Sequence, residues 1–72
     1  MTKEEFRNEV LGALQQKPND WRAGQFVFNY VDRYFGVARE AQFKRGIDCF
    51  YDDNKINDFL DCCYGIMSGT ED

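Results

Sequence analysis

Half of the aromatic side chains in this chain fall within residues 19–36, NDWRAGQFVFNYVDRYFG, a stretch that holds its one Trp, three of its seven Phe and two of its four Tyr. Read as a helix over residues 21–35 at about 100° per residue, it places Trp21, Ala23, Gly24, Phe26, Val27, Phe28, Tyr30, Val31, Tyr34 and Phe35 on one continuous apolar arc. That arc spans roughly 220° and leaves about 100° for Arg22, Gln25, Asn29, Asp32 and Arg33. A helix lying on a surface needs a narrower stripe, so this one is expected to be central and packed on two sides. Gly24 lies inside the arc, where the missing side chain lets another backbone approach. Gly36 is placed to end the helix in the left-handed conformation, with Val37 supplying the hydrophobic contact that follows.

The remaining sequence supplies packing partners. At 72 residues the chain has room for one domain, and chains of this size bury only about 60% of the surface exposed when unfolded. An aromatic content of 17% compensates, because each buried ring removes roughly 150 to 250 Å² from water. A first helix over residues 1–16 has a capping box in Thr2 and Glu5, with Met1 and Phe6 at the staple positions, and an inward stripe of Phe6, Val10, Ala13 and Leu14. Pro18 biases Lys17 away from helix, and Asn19 or Asp20 is available to cap the central helix. A short third helix over residues 38–45 turns Val37, Ala38, Ala41 and Phe43 inward and stops at Gly46. Residues 47–53, IDCFYDD, read as an ordered connection anchored by Ile47 and Phe50. From residue 53 to about 67, Ile56, Phe59, Leu60, Cys63 and Met67 repeat at helical spacing, with Asp52 or Asp53 as cap and residues 68–72 as a fraying tail. The expected fold is all-α, a compact single-domain bundle of about four short helices around the central one.

Charge bounds the partners. The net charge of −4 is unevenly spread: residues 1–46 carry eight basic and six acidic side chains, residues 47–72 one basic and seven acidic. An acidic chain is not expected to bind nucleic acid directly, since phosphates select clustered Lys and Arg. No run of eighteen apolar residues and no secretory leader is present, so neither membrane insertion nor secretion is expected. Three Cys do not make a disulfide framework, which points to a reducing cytoplasm.

The motif Arg22-Ala-Gly24-Gln25-Phe26-Val-Phe28-Asn29, followed by Asp48-Cys-Phe50-Tyr51-Asp52-Asp53, resembles a set of small uncharacterised bacterial and phage-type proteins with the pattern W-R-x-G-Q-x-x-F-N and then D-P-F-Y-D-D. The match covers residues 21–60, with Cys49 where the pattern usually has Pro. The resemblance implies a shared fold and a phage or mobile-element origin, and assigns no chemistry. It also draws attention to Arg22, Gln25 and Asn29, one polar line on the central helix, which is expected to hydrogen-bond the backbone of the connection near 46–53.

The residue types argue for binding over catalysis. Histidine is absent, removing the commonest general base and metal ligand. Cys49, Cys62 and Cys63 read as structural thiols, with Cys62 the exposed one, and their spacing is not that of a zinc site. The run Asp52-Asp53-Asn54-Lys55-Ile56-Asn57 puts an apolar residue where a calcium loop needs oxygen and lacks its turning Gly, so capping and solvation account for it better. No catalytic residue, metal or cofactor is therefore expected. Phe26 and Tyr30 lie at the far edge of the apolar arc beside Arg22 and Arg33, the composition of an interface hot spot. The expected function is a non-enzymatic protein-interaction module using Arg22, Phe26, Tyr30 and Arg33 toward a protein partner or a second copy of the chain. The alternative is an acidic nucleic-acid mimic that inhibits a host nuclease or defence complex, with Asp48, Asp52, Asp53, Asp58 and Asp61 imitating phosphates.

Overall fold

The structure is a computed structural model that describes residues 1–69. It consists of α1 (Lys3–Leu14), α2 (Ala23–Tyr34), α3 (Ala38–Arg45), a 3-10 turn (Asp53–Lys55) and α4 (Ile56–Ser68), with no strand among the described residues. The fold is the expected all-α bundle. α2 packs against α1, α3 and the 3-10 turn, and α4 against the same three; α2 and α4 meet through the stacked rings of Phe28 and Phe59, 5.5 Å apart. The Cα radius of gyration is 11.1 Å, the roughly 11 Å expected of a compact chain of this length.

The helix ends follow local chemistry. Thr2 Oγ1 accepts the Glu5 N–H at 3.1 Å and Glu5 Oε1 accepts the Thr2 N–H at 2.7 Å, closing the capping box of α1. Phe6 is fully buried, but Met1, its expected staple partner, stays 61% exposed; the Met1 carbonyl instead accepts the Tyr64 hydroxyl of α4 at 3.2 Å. Gly36, Gly46 and Gly69 all adopt left-handed φ, near 70–75°, after α2, α3 and α4. Ser68, expected to open a frayed tail, is the last residue of α4, and the rest of that tail, residues 70–72, lies outside the described residues.

α2 begins two residues later than its apolar arc. The Trp21 N–H is spent on the Pro18 carbonyl in a turn at 3.1 Å, and extended Arg22 becomes the residue before the helix. Neither Asn19 nor Asp20 caps it. Gln25 Oε1 accepts the Arg22 N–H at 3.3 Å, and the free amide of Gly24 donates to Asp53 Oδ1 at 2.8 Å. Asp53, expected to cap α4, thus caps α2 from twenty-nine residues further along the chain, while Asp52 caps the 3-10 turn by accepting the Asn54 N–H at 2.9 Å.

The same spot explains Gly24. A Cβ there would collide with the Cys49 carbonyl oxygen and come to 3.0 Å from Asp53 Oδ1. In the reverse direction, the Cys49 thiol donates to the Gly24 carbonyl at 3.3 Å. Ile47 and Phe50 pack against the core as expected, but the deepest anchor of the connection is Cys49, which is fully buried. Of the polar line, Arg22 does hold the connection, donating to the Phe50 carbonyl at 3.2 Å and lying 5.4 Å over the Tyr51 ring. Gln25 serves its own helix, and Asn29 faces a different region.

The aromatic residues form two strings, one on each side of α2. Trp21, Phe26, Tyr30, Tyr34, Phe35, Phe6 and Tyr64 make one; Phe59, Phe28, Phe50 and Tyr51 make the other. Phe43 belongs to neither. Expected on the inner side of α3, it is 77% exposed, because the eight-residue helix turns Ala38 and Ala41 inward, and their small side chains set it close to the core.

Candidate functional site

The first string runs into an open groove of about 400 Å³ between α2 and the end of α1. Phe26, Tyr30 and Tyr34 follow one another at i, i+4 and i+8 on α2, so their rings line up along one face. Trp21 and Phe26 lie 6.4 Å apart edge to face, Phe26 and Tyr30 are stacked at 6.0 Å, and Tyr30 and Tyr34 are 4.7 Å apart. Ala13 and Gln16 form the opposite bank, and Asn29 and Arg33 border the aromatic floor.

These side chains are neither core nor free surface. Phe26 and Tyr30 are half-buried and Tyr34 is 61% exposed, because α1 crosses beside the ladder without covering it. The Tyr30 hydroxyl donates to Glu9 Oε2 at 3.4 Å; burial, then the Glu9 charge, pushes its pKa above the ordinary tyrosine value. The Arg33 guanidinium lies 5.5 Å over the Tyr34 ring and makes no ion pair among the described residues.

Of the four residues expected at this edge, Phe26, Tyr30 and Arg33 line the groove together. Arg22 does not; its guanidinium is engaged at Phe50 and Tyr51. Trp21, Asn29 and Tyr34 also line the groove, beyond the four residues the sequence assigns to this edge. For Tyr34 the signal was present, since it continues the 26, 30 spacing by one more turn.

A second depression, about 530 Å³, lies between the connection and α4 and brings together Asp48, Asp52, Asp58 and Asp61 with Tyr51 and Lys55. Three of these carboxylates already have partners. Asp61 pairs with Lys3 at 3.0 Å and Arg7 at 3.8 Å, Asp48 accepts the Phe50 N–H at 3.1 Å, and Asp52 accepts that of Asn54 at 2.9 Å. Asp53, the fifth acid of the expected set, is at the α2 cap instead. Among the described residues, no three Cys, Asp or Glu side chains converge on a point where a metal ion could sit.

The thiols are inside. Cys62, expected to be exposed, is only 6% accessible, because α4 turns both members of its vicinal pair toward neighbouring elements. Burial, and after it the charges of Asp48 and Asp53, pushes the Cys49 thiol up to about 12. Burial likewise raises Cys63. Both therefore stay protonated and unreactive at neutral pH. No helix among the described residues is long and apolar enough to cross a membrane. The chain matches no protein-family model, no curated protein and no solved structure.

Proposed function

We propose that the protein is a small non-enzymatic interaction module whose aromatic groove takes a short apolar segment of a partner protein, with an acidic side chain of that segment meeting Arg33. One observation carries this reading: a continuous ladder of Trp21, Phe26, Tyr30 and Tyr34 left open to solvent beside an arginine that has no acidic partner among the described residues. Half-buried aromatic rings give contact area at little cost in side-chain entropy, and Trp, Tyr and Arg dominate binding hot spots. Arg33 then supplies charge complementarity and orientation. The phage or mobile-element origin implied by the motif resemblance, and an intracellular setting, belong to the same proposal.

Selection of peptides from a random displayed library against the purified protein tests it. Selected peptides are expected to combine apolar and acidic residues, and to lose roughly tenfold or more in affinity toward Arg33→Glu and Phe26→Ala. Peptides that bind both variants as well as the parent would contradict the reading.

A second reading, the acidic mimic of nucleic acid, draws support from the four carboxylates gathered at one depression. It requires binding to a basic surface that weakens steeply with salt. Asp58→Asn with Asp61→Asn should then abolish binding, whereas the groove reading leaves it intact.

A further inference from the structure

A different face of the molecule has no role in the groove. Phe43 and Tyr51 are the two most exposed large apolar residues, at 77% and 79%, and they border one hollow of about 310 Å³ whose floor is Phe28 and Phe50. Scattered exposed apolar residues are ordinary, but two exposed rings over a continuous aromatic floor make a patch. Tyr51 also borders the acidic depression, so it forms a ridge between two unlike regions. On the side of the hollow stands Arg39, 74% exposed and paired with Asp32 at 3.7 Å, and the Arg22 guanidinium lies 5.4 Å over the Tyr51 ring itself. On the other stand Asp52 and Asp58, offset in part by Lys55, while Asp48 bridges the two regions by accepting from Gln42 Nε2 at 3.5 Å.

An apolar centre flanked by a positive side and a negative side is self-complementary under a half-turn. Rotation about an axis near Tyr51 lays the Arg39 side of one copy over the Asp58 side of another, and the same contact forms a second time by symmetry. Apolar cover for Phe43 and Tyr51 comes with it. We propose that this face is the interface of a two-fold homodimer, with Tyr51 and Phe43 at its centre and Arg39 facing the Asp58 region of the second copy. The groove of α1 and α2 is not part of this face, so a dimer carries two grooves and gains avidity for a partner with repeated segments.

Sedimentation velocity over roughly a hundredfold range of concentration tests the proposal. The parent protein is expected to show a concentration-dependent dimer. Tyr51→Asp and Phe43→Asp should each weaken it by roughly thirtyfold or more, the loss expected of an aromatic hot spot. Both positions are exposed, and circular dichroism checks that the variants keep their helices. Charge exchange gives an independent readout. Arg39→Glu alone and Asp58→Arg alone should each dimerise poorly, but an equimolar mixture of the two should dimerise, because both contacts become complementary again. A protein that stays monomeric at every concentration, a dimer that survives both aspartate substitutions, or a mixture no better than its components would each overturn the proposal.

Discussion

The backbone N–H of Gly24 donates to Oδ1 of Asp53 at 2.8 Å, so the first turn of α2 is capped by a residue twenty-nine positions further along the chain. With the thiol of Cys49 on the Gly24 carbonyl and the guanidinium of Arg22 on the Phe50 carbonyl, this bond fastens an irregular connection to the central helix. The helix so fastened carries Phe26, Tyr30 and Tyr34 of the groove.

Substitution at Gly24 should reverse the usual helix rule. Gly→Ala inside a helix ordinarily stabilises by about 1 kcal/mol, and Gly12 in α1, with nothing within 4 Å of its missing Cβ, should behave that way. Gly24→Ala should instead destabilise by about 1 to 3 kcal/mol, since the methyl meets the Cys49 carbonyl and the connection must move. Urea unfolding midpoints of the two variants check the opposite signs.

Asp53→Ala should cost about 1 kcal/mol, the usual value of a lost N-cap acceptor, and Asp53→Asn distinctly less. The local readout is amide hydrogen exchange at Gly24, expected to speed up in the Ala variant. Unchanged protection there would show that the cap is not made in solution.

Acid should remove one part of the stability of α1. The Glu5 carboxyl is held below its ordinary range, first by the bond from the Thr2 backbone and then by the Thr2 side chain. A carboxyl depressed in the folded state contributes fully above its unfolded value and loses that contribution as pH falls through the folded one. The difference in melting temperature between the parent and Glu5→Gln should therefore be present at neutral pH and close on acidification. A difference independent of pH would contradict this.

The thiols should be protected by the fold. Cys49, pushed up to about 12, and the fully buried Cys63 should react with a thiol-specific disulfide reagent only as fast as the protein opens. The mostly covered Cys62 should follow. Three thiols should be titrated at once in denaturant; immediate reaction of Cys62 or Cys63 in the native protein would show that α4 is not packed as described, and immediate reaction of Cys49 that the connection is not.

Much of this architecture is legible in the sequence because it depends on short-range patterns. The capping box of Thr2 and Glu5, the bounds of α3 and the left-handed glycines after α2 and α3 all follow from neighbours within a turn. The wide arc of α2 announced its central place, and Gly24 announced a close backbone. The role of Asp53 is not legible because its partner is distant: the local rule offers it to α4, and only the fold brings it to Gly24. Phe43 shows another limit, since in an eight-residue helix a single ring weighs as much in the periodicity as two alanines, although only the alanines allow close packing. At the groove, Phe26, Tyr30 and Arg33 were readable as one edge. The engagement of Arg22 elsewhere depends on where the Phe50 carbonyl lies, and no spacing encodes that.

The chain has one tryptophan, and it lines the groove, so its fluorescence and indole N–H resonance report occupancy without any label. Titration of the protein with a selected apolar, acidic peptide, followed by both signals and by amide shift mapping, tests groove binding most directly. A saturable change at Trp21 is expected, with perturbed amides at Phe26, Asn29, Tyr30, Arg33 and Tyr34, and with a midpoint shifted roughly tenfold or more to weaker binding in Arg33→Glu. Saturable binding that leaves Trp21 and these amides unmoved, or that is as tight in Arg33→Glu as in the parent, would contradict groove binding.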